Sequence, residues 1–168
     1  MAEQTKIRSL DKALTLLEIL MQRRAPMTLQ ALSAAAGYPK STTHALLSTM
    51  RGHAVVEQRE DGRYCLGLRL FEGGCAVSSG WDVGRLARPH LEQLAAASGA
   101  SAFLSLLDGA HAISVDQCIG ESGLQVVPAL GCRMPLHATA QGKVLLSGKS
   151  RREALRLLEV AGRAPPPP

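Results

Sequence analysis

The first apolar positions of the chain recur at the spacing of one face of a helix. This spacing predicts an amphipathic helix from Ser9 to Arg24, with Ser9 as its N-cap. Pro26 then ends the helix, because proline cannot continue the helical hydrogen bonding. The expected core face consists of Leu10, Ala13, Leu14, Leu17, Leu20 and Met21.

Two shorter helices follow the first one. Thr28 is placed to cap a helix from Leu29 to Ala36, which ends at Gly37. A third helix runs from Ser41 to Arg51, after a proline that forbids a continuous helix through the turn. Its apolar stripe is Thr43, Leu46, Leu47 and Met50.

A β-hairpin is predicted directly after the three helices. Alternating residues at 55–58 and 63–66 enclose Glu60-Asp61-Gly62, and an Asp-Gly pair is a strong signal of a tight turn. Three short helices followed by a two-stranded hairpin form a winged helix-turn-helix, in which the hairpin is the wing. We place this domain at residues 7–68, after an N-terminal tail at residues 1–6.

The second half of the chain mixes helices and strands. A linker helix is predicted at 69–81, although Gly73 and Gly74 weaken the pattern. The mixture indicates a second domain at 82–163 with an antiparallel sheet, so the fold class is α+β, and a proline tail at 164–168 follows it. Its expected helices lie at 83–97, 138–146 and 150–161, and its expected strands at 101–107, 112–117 and 124–127.

The charge distribution favours nucleic acid as a partner. The chain carries 19 Lys and Arg against 14 Asp and Glu, a net charge of +5, and no acidic residue lies between Ile19 and Val56. A solvated helix face usually carries Glu and Lys pairs, whereas the exposed face of the third helix has no acid at all. We therefore expect DNA contacts from Lys40, Ser41, Thr42, His44, Ser48 and Arg51 on this helix, and from Arg59 and Arg63 beside the hairpin turn.

Enzyme and metal sites are not indicated. The four cysteines stand far apart without a paired-histidine spacing, so we expect neither a metal site nor a cofactor. Gly148-Lys149-Ser150 lacks the earlier glycine of a phosphate-binding loop, and Cys132 and His137 have no orienting acid nearby. The chain has no membrane-spanning apolar stretch and its start is not a secretion signal, which predicts a cytoplasmic protein without membrane contact.

Several stretches together resemble the IclR family of bacterial transcriptional regulators. The most specific is the stretch at 131–143, GCRMPLHATAQGK, which is similar to the signature of the family's effector domain. The others are IRSLDKAL at 7–14, GYPKSTTH at 37–44, YCLG at 64–67, and Pro89-His90-Leu91 followed by Leu94 and Ser98-Gly99.

This resemblance implies a regulator of transcription, more often a repressor. It implies binding to double-stranded operator DNA as a homodimer or tetramer, with Ser41–Arg51 as the recognition helix and Gln58–Tyr64 as the wing. It also implies a response to a small organic or aromatic acid, which we expect near Gly131, Ala138 and Thr139. A domain that recognises another protein or a small molecule without DNA is the alternative.

The chain departs from the family pattern at three points. Ala45 stands where members commonly have arginine, and Ala54 stands where they have glycine before the wing. The chain is also shorter than family members, so residues 82–163 predict only a partial effector-binding domain. We therefore expect an impaired effector response and uncovered apolar sheet positions at Phe103, Leu104, Leu106, Ile113 and Val115.

Overall fold

A computed structural model describes residues 7–121 and 128–161. The chain divides into two compact units, which meet in sequence between Gly80 and Trp81. The predicted tail at 1–6, the strand at 124–127 and the proline tail at 164–168 lie outside the described residues.

Three helices open the first unit: α1 (Arg8–Arg23), α2 (Leu29–Ala36) and α3 (Lys40–Gly52). The predicted cap of α2 is confirmed, since the Thr28 hydroxyl oxygen accepts a hydrogen bond from the Ala31 backbone N–H at 3.1 Å. The predicted cap of α1 is wrong. The helix begins one residue earlier than Ser9, so Ile7 is the N-cap and supplies no side-chain hydrogen bond.

The wing consists of β1 (Val56–Gln58) and β2 (Tyr64–Leu66), paired antiparallel with Gln58 opposite Tyr64. Gly62 adopts φ +79° in the connecting turn, a conformation that a side chain would strain. The backbone of Met27 exchanges two hydrogen bonds with Tyr64, at 2.8 and 2.9 Å. These bonds tie the hairpin to the loop before α2.

The core of this unit lies between the three helices and the hairpin. It consists of Leu16, Leu20, Leu32, Leu47, Met50, Val56 and Tyr64. The expected core face of α1 is partly wrong, because Leu16 is fully buried while Leu10, Leu14 and Met21 are at least half exposed. The helix therefore turns Ala13, Leu16, Leu17 and Leu20 toward the core, and a second apolar stripe toward solvent.

A fourth helix, α4 (Leu68–Ser79), follows the wing, and it forms despite Gly73 and Gly74. The backbone N–H of Arg69 donates to the carbonyl oxygen of Ala54 at 3.3 Å, which attaches the start of the helix to the first unit. None of its residues is buried, and Leu68, Phe71 and Val77 are exposed.

The second unit combines three described strands with three helices. Its sheet has the antiparallel order β3-β4-β5, with a register shift after Leu104. The strand β5 was not predicted from the sequence. The elements are α5 (Asp82–Ser98), β3 (Ala102–Asp108), β4 (His111–Cys118), β5 (Arg133–Pro135), α6 (Ala140–Ser147) and α7 (Arg151–Ala161).

Packing in this unit joins α5 to the sheet. The Arg88 side chain on α5 binds Glu92 at 2.9 Å and reaches Asp116 on β4 at 3.1 Å. The hydrogen bond to Glu92 and the nearby charge of Asp116 raise the pKa of Arg88. The expectation of uncovered apolar sheet positions is wrong, because these side chains are half-buried: Phe103, Leu104, Leu106, Ile113 and Val115.

Candidate nucleic-acid interface

The helix α3 presents two different faces. Thr43, Leu47 and Met50 are buried against the core, and the Thr43 hydroxyl donates to the Pro39 carbonyl at 3.1 Å. This packing fixes the rotation of the helix about its axis, so the opposite face is turned to solvent. The predicted DNA-contacting residues of the helix are exposed apart from the half-buried Thr42: Lys40, Ser41, His44, Ser48 and Arg51.

The first turn of α3 is suited to an anion. Pro39 is the N-cap and supplies no side-chain bond, while its carbonyl accepts from the Thr43 N–H at 3.0 Å. The N–H groups of Lys40, Ser41 and Thr42 precede that first helical bond and point out of the helix end. Together with the helix dipole and the Lys40 charge, they favour a phosphate at this position.

The far end of α3 is connected to the wing by a side-chain bridge. The Arg51 Nη1 donates to the Gln58 Oε1 at 2.8 Å. The Gln58 Nε2 in turn donates to the Gly62 carbonyl in the wing turn at 3.1 Å. The helix end and the wing therefore form one continuous polar surface.

The two wing arginines differ in their surroundings. The Arg63 Nε lies 3.5 Å from the Asp61 Oδ2, and the Arg63 backbone N–H donates to the Asp61 Oδ1 at 3.0 Å. Arg59 is exposed and forms no ion pair within residues 7–121 and 128–161. Asp61 therefore offsets part of the charge of Arg63, whereas no such ion pair among the described residues offsets that of Arg59.

All eight predicted DNA-contacting residues belong to the first unit, six on α3 and two on the wing. The bridging residue Gln58 was not among them. The sequence places Gln58 on a strand beside the turn, but no spacing rule indicates that its side chain reaches both Arg51 and Gly62. Only the geometry of the folded chain reveals this role.

The predicted effector neighbourhood surrounds β5 in the second unit. Gly131 precedes the strand with φ +75°, and its N–H donates to the Ser114 carbonyl at 2.8 Å. Thr139 follows the strand and caps α6, its hydroxyl oxygen accepting from the Gly142 N–H at 3.1 Å. Ala138 is exposed. The helix α6 begins two residues later than predicted, since Thr139 is its cap and not part of it.

Two further features of the described residues concern metals and membranes. No group of three or more His, Cys, Asp and Glu side chains is arranged to hold a metal ion within the described ranges. None of the described helices combines the length and the apolar character that crossing a bilayer requires.

Each of the two units matches the model of a known protein family. A family model described as the IclR helix-turn-helix domain matches residues 9–60, and one described as the bacterial transcriptional regulator IclR C-terminal domain matches residues 75–165. The chain belongs to the IclR family of transcriptional regulators. The first match covers the three helices and the start of the wing, and the second covers most of the second unit.

The chain is also similar in sequence to individual, curated transcriptional regulators. The chain is 32% identical over 154 residues to the HTH-type transcriptional regulator XynR of Escherichia coli, covering 91% of this chain and 61% of that protein. It is 31% identical over 160 residues to the acetate operon repressor of Salmonella typhimurium, covering 94% of this chain and 58% of that one. The chain thus spans about three fifths of the length of these IclR-family relatives.

Solved structures share the fold. An IclR-family regulator from Brucella abortus aligns with a TM-score of 0.76 at 22% identity, over 95% of this chain and 61% of that one. A transcriptional regulator from Rhodococcus aligns with a TM-score of 0.69 at 28% identity, over 92% and 61%. The winged helix followed by an α+β domain with an antiparallel sheet is therefore the fold of the family.

Proposed function

We propose that this IclR-family chain is a DNA-binding transcriptional regulator, not an enzyme, that acts in the cytoplasm on double-stranded operator DNA. The observation that carries the proposal is the exposed, acid-free face of α3, which continues through Gln58 into the wing. A helix-turn-helix reads DNA by placing such a helix in the major groove while flanking elements contact the backbone. Repressor action is supported by relatives named as repressors, among them the acetate operon repressor.

The test is the binding of duplex DNA by the whole chain. Fluorescence anisotropy with a 30-bp duplex at several salt concentrations should show affinity that falls steeply as salt rises, because bound Lys and Arg release counterions from the phosphates. A neutral polymer of similar size is the control. Salt-independent binding, or binding no tighter than to the control, would contradict the proposal and favour a domain that recognises protein or small molecules.

Variants separate sequence reading from backbone contact. Ser41→Ala and Arg51→Ala should weaken binding to a duplex enriched from a random library more than binding to an unselected duplex. Arg59→Ala and Arg63→Ala should weaken both about equally, since phosphate contacts carry no sequence information. Arg85→Ala is the matched control, because Arg85 lies on α5 and pairs with Asp82. A wing variant that changed sequence preference alone would refute the phosphate assignment.

A homodimer, or a tetramer built from dimers, is the proposed assembly. Support comes from the exposed apolar stripe formed by the N-cap Ile7 and by Leu10, Leu14 and Met21 of α1, whose separations of three, four and seven residues match one seam of a helix pair. Light scattering after gel filtration should show a dimer or larger, and Leu14→Glu should shift it to monomer, because a charge cannot be buried unpaired. A monomeric unmodified chain would refute the assembly.

The proposed effector class is a small organic or aromatic acid. Its proposed neighbourhood is the N-terminus of α6, at the cap Thr139. A family relative from Microbacterium hydrocarbonoxydans was crystallised with 4-hydroxybenzoate, which makes this acid the first probe. Thermal shift and DNA release are measured across a panel of such acids, with the uncharged ester of each as control. A saturable shift with any of the acids supports the effector class and contradicts the expected impairment, whereas its absence from the whole panel contradicts the effector class.

A further inference from the structure

We propose that Gln58 is a positioning residue: its amide fixes the orientation of the Arg51 guanidinium, on the recognition helix, relative to the wing. The proposal rests on the proposed DNA-binding function and adds a determinant of sequence discrimination to it. Gln58 need not touch DNA for this role. It acts through the side chain that it orients.

The geometry shows one amide serving two partners. The Gln58 Oε1 accepts from the Arg51 Nη1 at 2.8 Å, while the Gln58 Nε2 donates to the Gly62 carbonyl at 3.1 Å. The hydrogen bond to Gln58 uses one of the five N–H donors of the Arg51 guanidinium, so further donors of that group can face a base edge or a phosphate. The bridge therefore orients Arg51 without consuming its binding capacity.

Backbone hydrogen bonds and the core hold the hairpin that carries the bridge. Gln58 lies opposite Tyr64 in the hairpin, and Tyr64 is buried in the core and bonded twice to the Met27 backbone. In the turn, the Gly62 N–H donates to the Arg59 carbonyl at 2.9 Å, and the Arg59 N–H donates to the Arg63 carbonyl at 2.8 Å. Gln58 and Gly62 are thus both held by the hydrogen-bonded backbone of the hairpin, and the Gln58 amide orients the long, exposed Arg51 side chain against it.

An arginine held in place loses less freedom on binding than one that samples many rotamers. The planar guanidinium recognises guanine or phosphate through a fixed pair of donors, so its orientation decides whether both bonds form. Loss of the bridge should therefore reduce discrimination between sequences. General attraction to DNA should persist, because every charge on the surface remains.

A double-mutant cycle in the whole chain tests the inference. The probes are a 30-bp duplex enriched from a random library by the unmodified protein and an unselected duplex of the same length. Arg51→Ala should weaken binding to the enriched duplex about tenfold or more. Gln58→Ala and the similarly shaped Gln58→Met should each weaken it about threefold, and binding to the unselected duplex should change less than twofold. Gln22→Ala, on an exposed residue of α1, should change neither.

The decisive arm is the double variant. If Gln58 acts through Arg51, Gln58→Ala adds nothing further once Arg51 is alanine. Additive losses would overturn the proposal, as would equal weakening of both duplexes by Gln58→Ala, which is the sign of a merely destabilised wing. Full binding by Gln58→Met would also overturn it, because methionine keeps the shape and removes both hydrogen bonds. If the unmodified chain fails to distinguish the duplexes and shows no salt dependence, the proposed function itself fails, and this inference fails with it.

Discussion

Replacing Ala54 by glycine should stabilise the first unit. Ala54 adopts φ +54° just after His53, the C-cap of α3. There the Val55 N–H donates to the Met50 carbonyl at 3.0 Å and the Ala54 N–H donates to the Arg51 carbonyl at 2.9 Å. These two bonds form a Schellman motif, in which the left-handed position is usually glycine. An alanine there keeps the motif but strains its own backbone.

The expected gain is the difference of two terms. A left-handed conformation costs an L-residue about 1–2 kcal/mol, which glycine does not pay. Glycine in turn makes the unfolded chain more flexible, which costs about 0.4–1 kcal/mol. From the midpoints of the two ranges, the net stabilisation of Ala54→Gly is about 0.8 kcal/mol. For a unit of this size, that raises the unfolding midpoint by about 3–6 °C.

Thermal unfolding followed by the tyrosine ring signals in NMR isolates this unit, because both tyrosines of the chain, Tyr38 and Tyr64, belong to it. The matched control is Ala45→Gly at an exposed position inside α3, which should lower the midpoint because glycine costs about 1 kcal/mol in a helix interior. An unchanged or lower midpoint for Ala54→Gly would refute the reasoning from the backbone angle.

Three further predictions concern single contacts. Gly67→Ala should destabilise the first unit by about 1–3 kcal/mol in urea unfolding, because its Cβ would collide with the Ala54 backbone carbonyl; a neutral result would refute the close approach. Thr28→Ala should cost about 1 kcal/mol through loss of the α2 cap, whereas Thr28→Ser should retain most of it. Hydrogen bonds from Ser150 lower the pKa of Glu153, so the NMR-titrated pKa should rise toward its ordinary value in Ser150→Ala. At pH values above the ordinary pKa of a glutamate, these hydrogen bonds stabilise the start of α7. The stabilisation is lost as the pH falls through the lowered pKa of Glu153 and its carboxylate takes up a proton.

The sequence predicted the α3–wing region closely because its signals are local. Thr28 and Gly37 bound α2, and Asp61-Gly62 determines a tight turn through the few conformations that the pair allows. The three- and four-residue spacing of the apolar stripe also predicted the buried face of α3, whose opposite face carries the candidate site. The sequence shows Ala54 only as a departure from the family's glycine, and its positive φ in the structure explains why glycine suits that position.

The face of α1 could not be predicted in the same way. The helix carries two apolar stripes: one contains Leu16 and Leu20, which are buried, and the other contains Leu10 and Leu14, which are exposed. Periodicity grouped Leu20 with Leu10 and Leu14 and omitted Leu16, because only the positions of α2 and α3 decide which side of the helix the unit buries. For the same reason Gln58 was missed, since its two partners come together only when α3 and the hairpin have packed.

The two units differ in how they are held together. The first buries five large aliphatic side chains, Leu16, Leu20, Leu32, Leu47 and Met50, together with Val56 and Tyr64. In the second, the buried apolar residues that the structure describes are two leucines and three alanines, and none of the seven residues of β3 is fully buried. Burying a large aliphatic side chain contributes about 1.5–3 kcal/mol, and alanine contributes much less. The described residues therefore give the first unit the larger hydrophobic stabilisation, and heating should melt the β3–β4 sheet before it disturbs α3 and the wing.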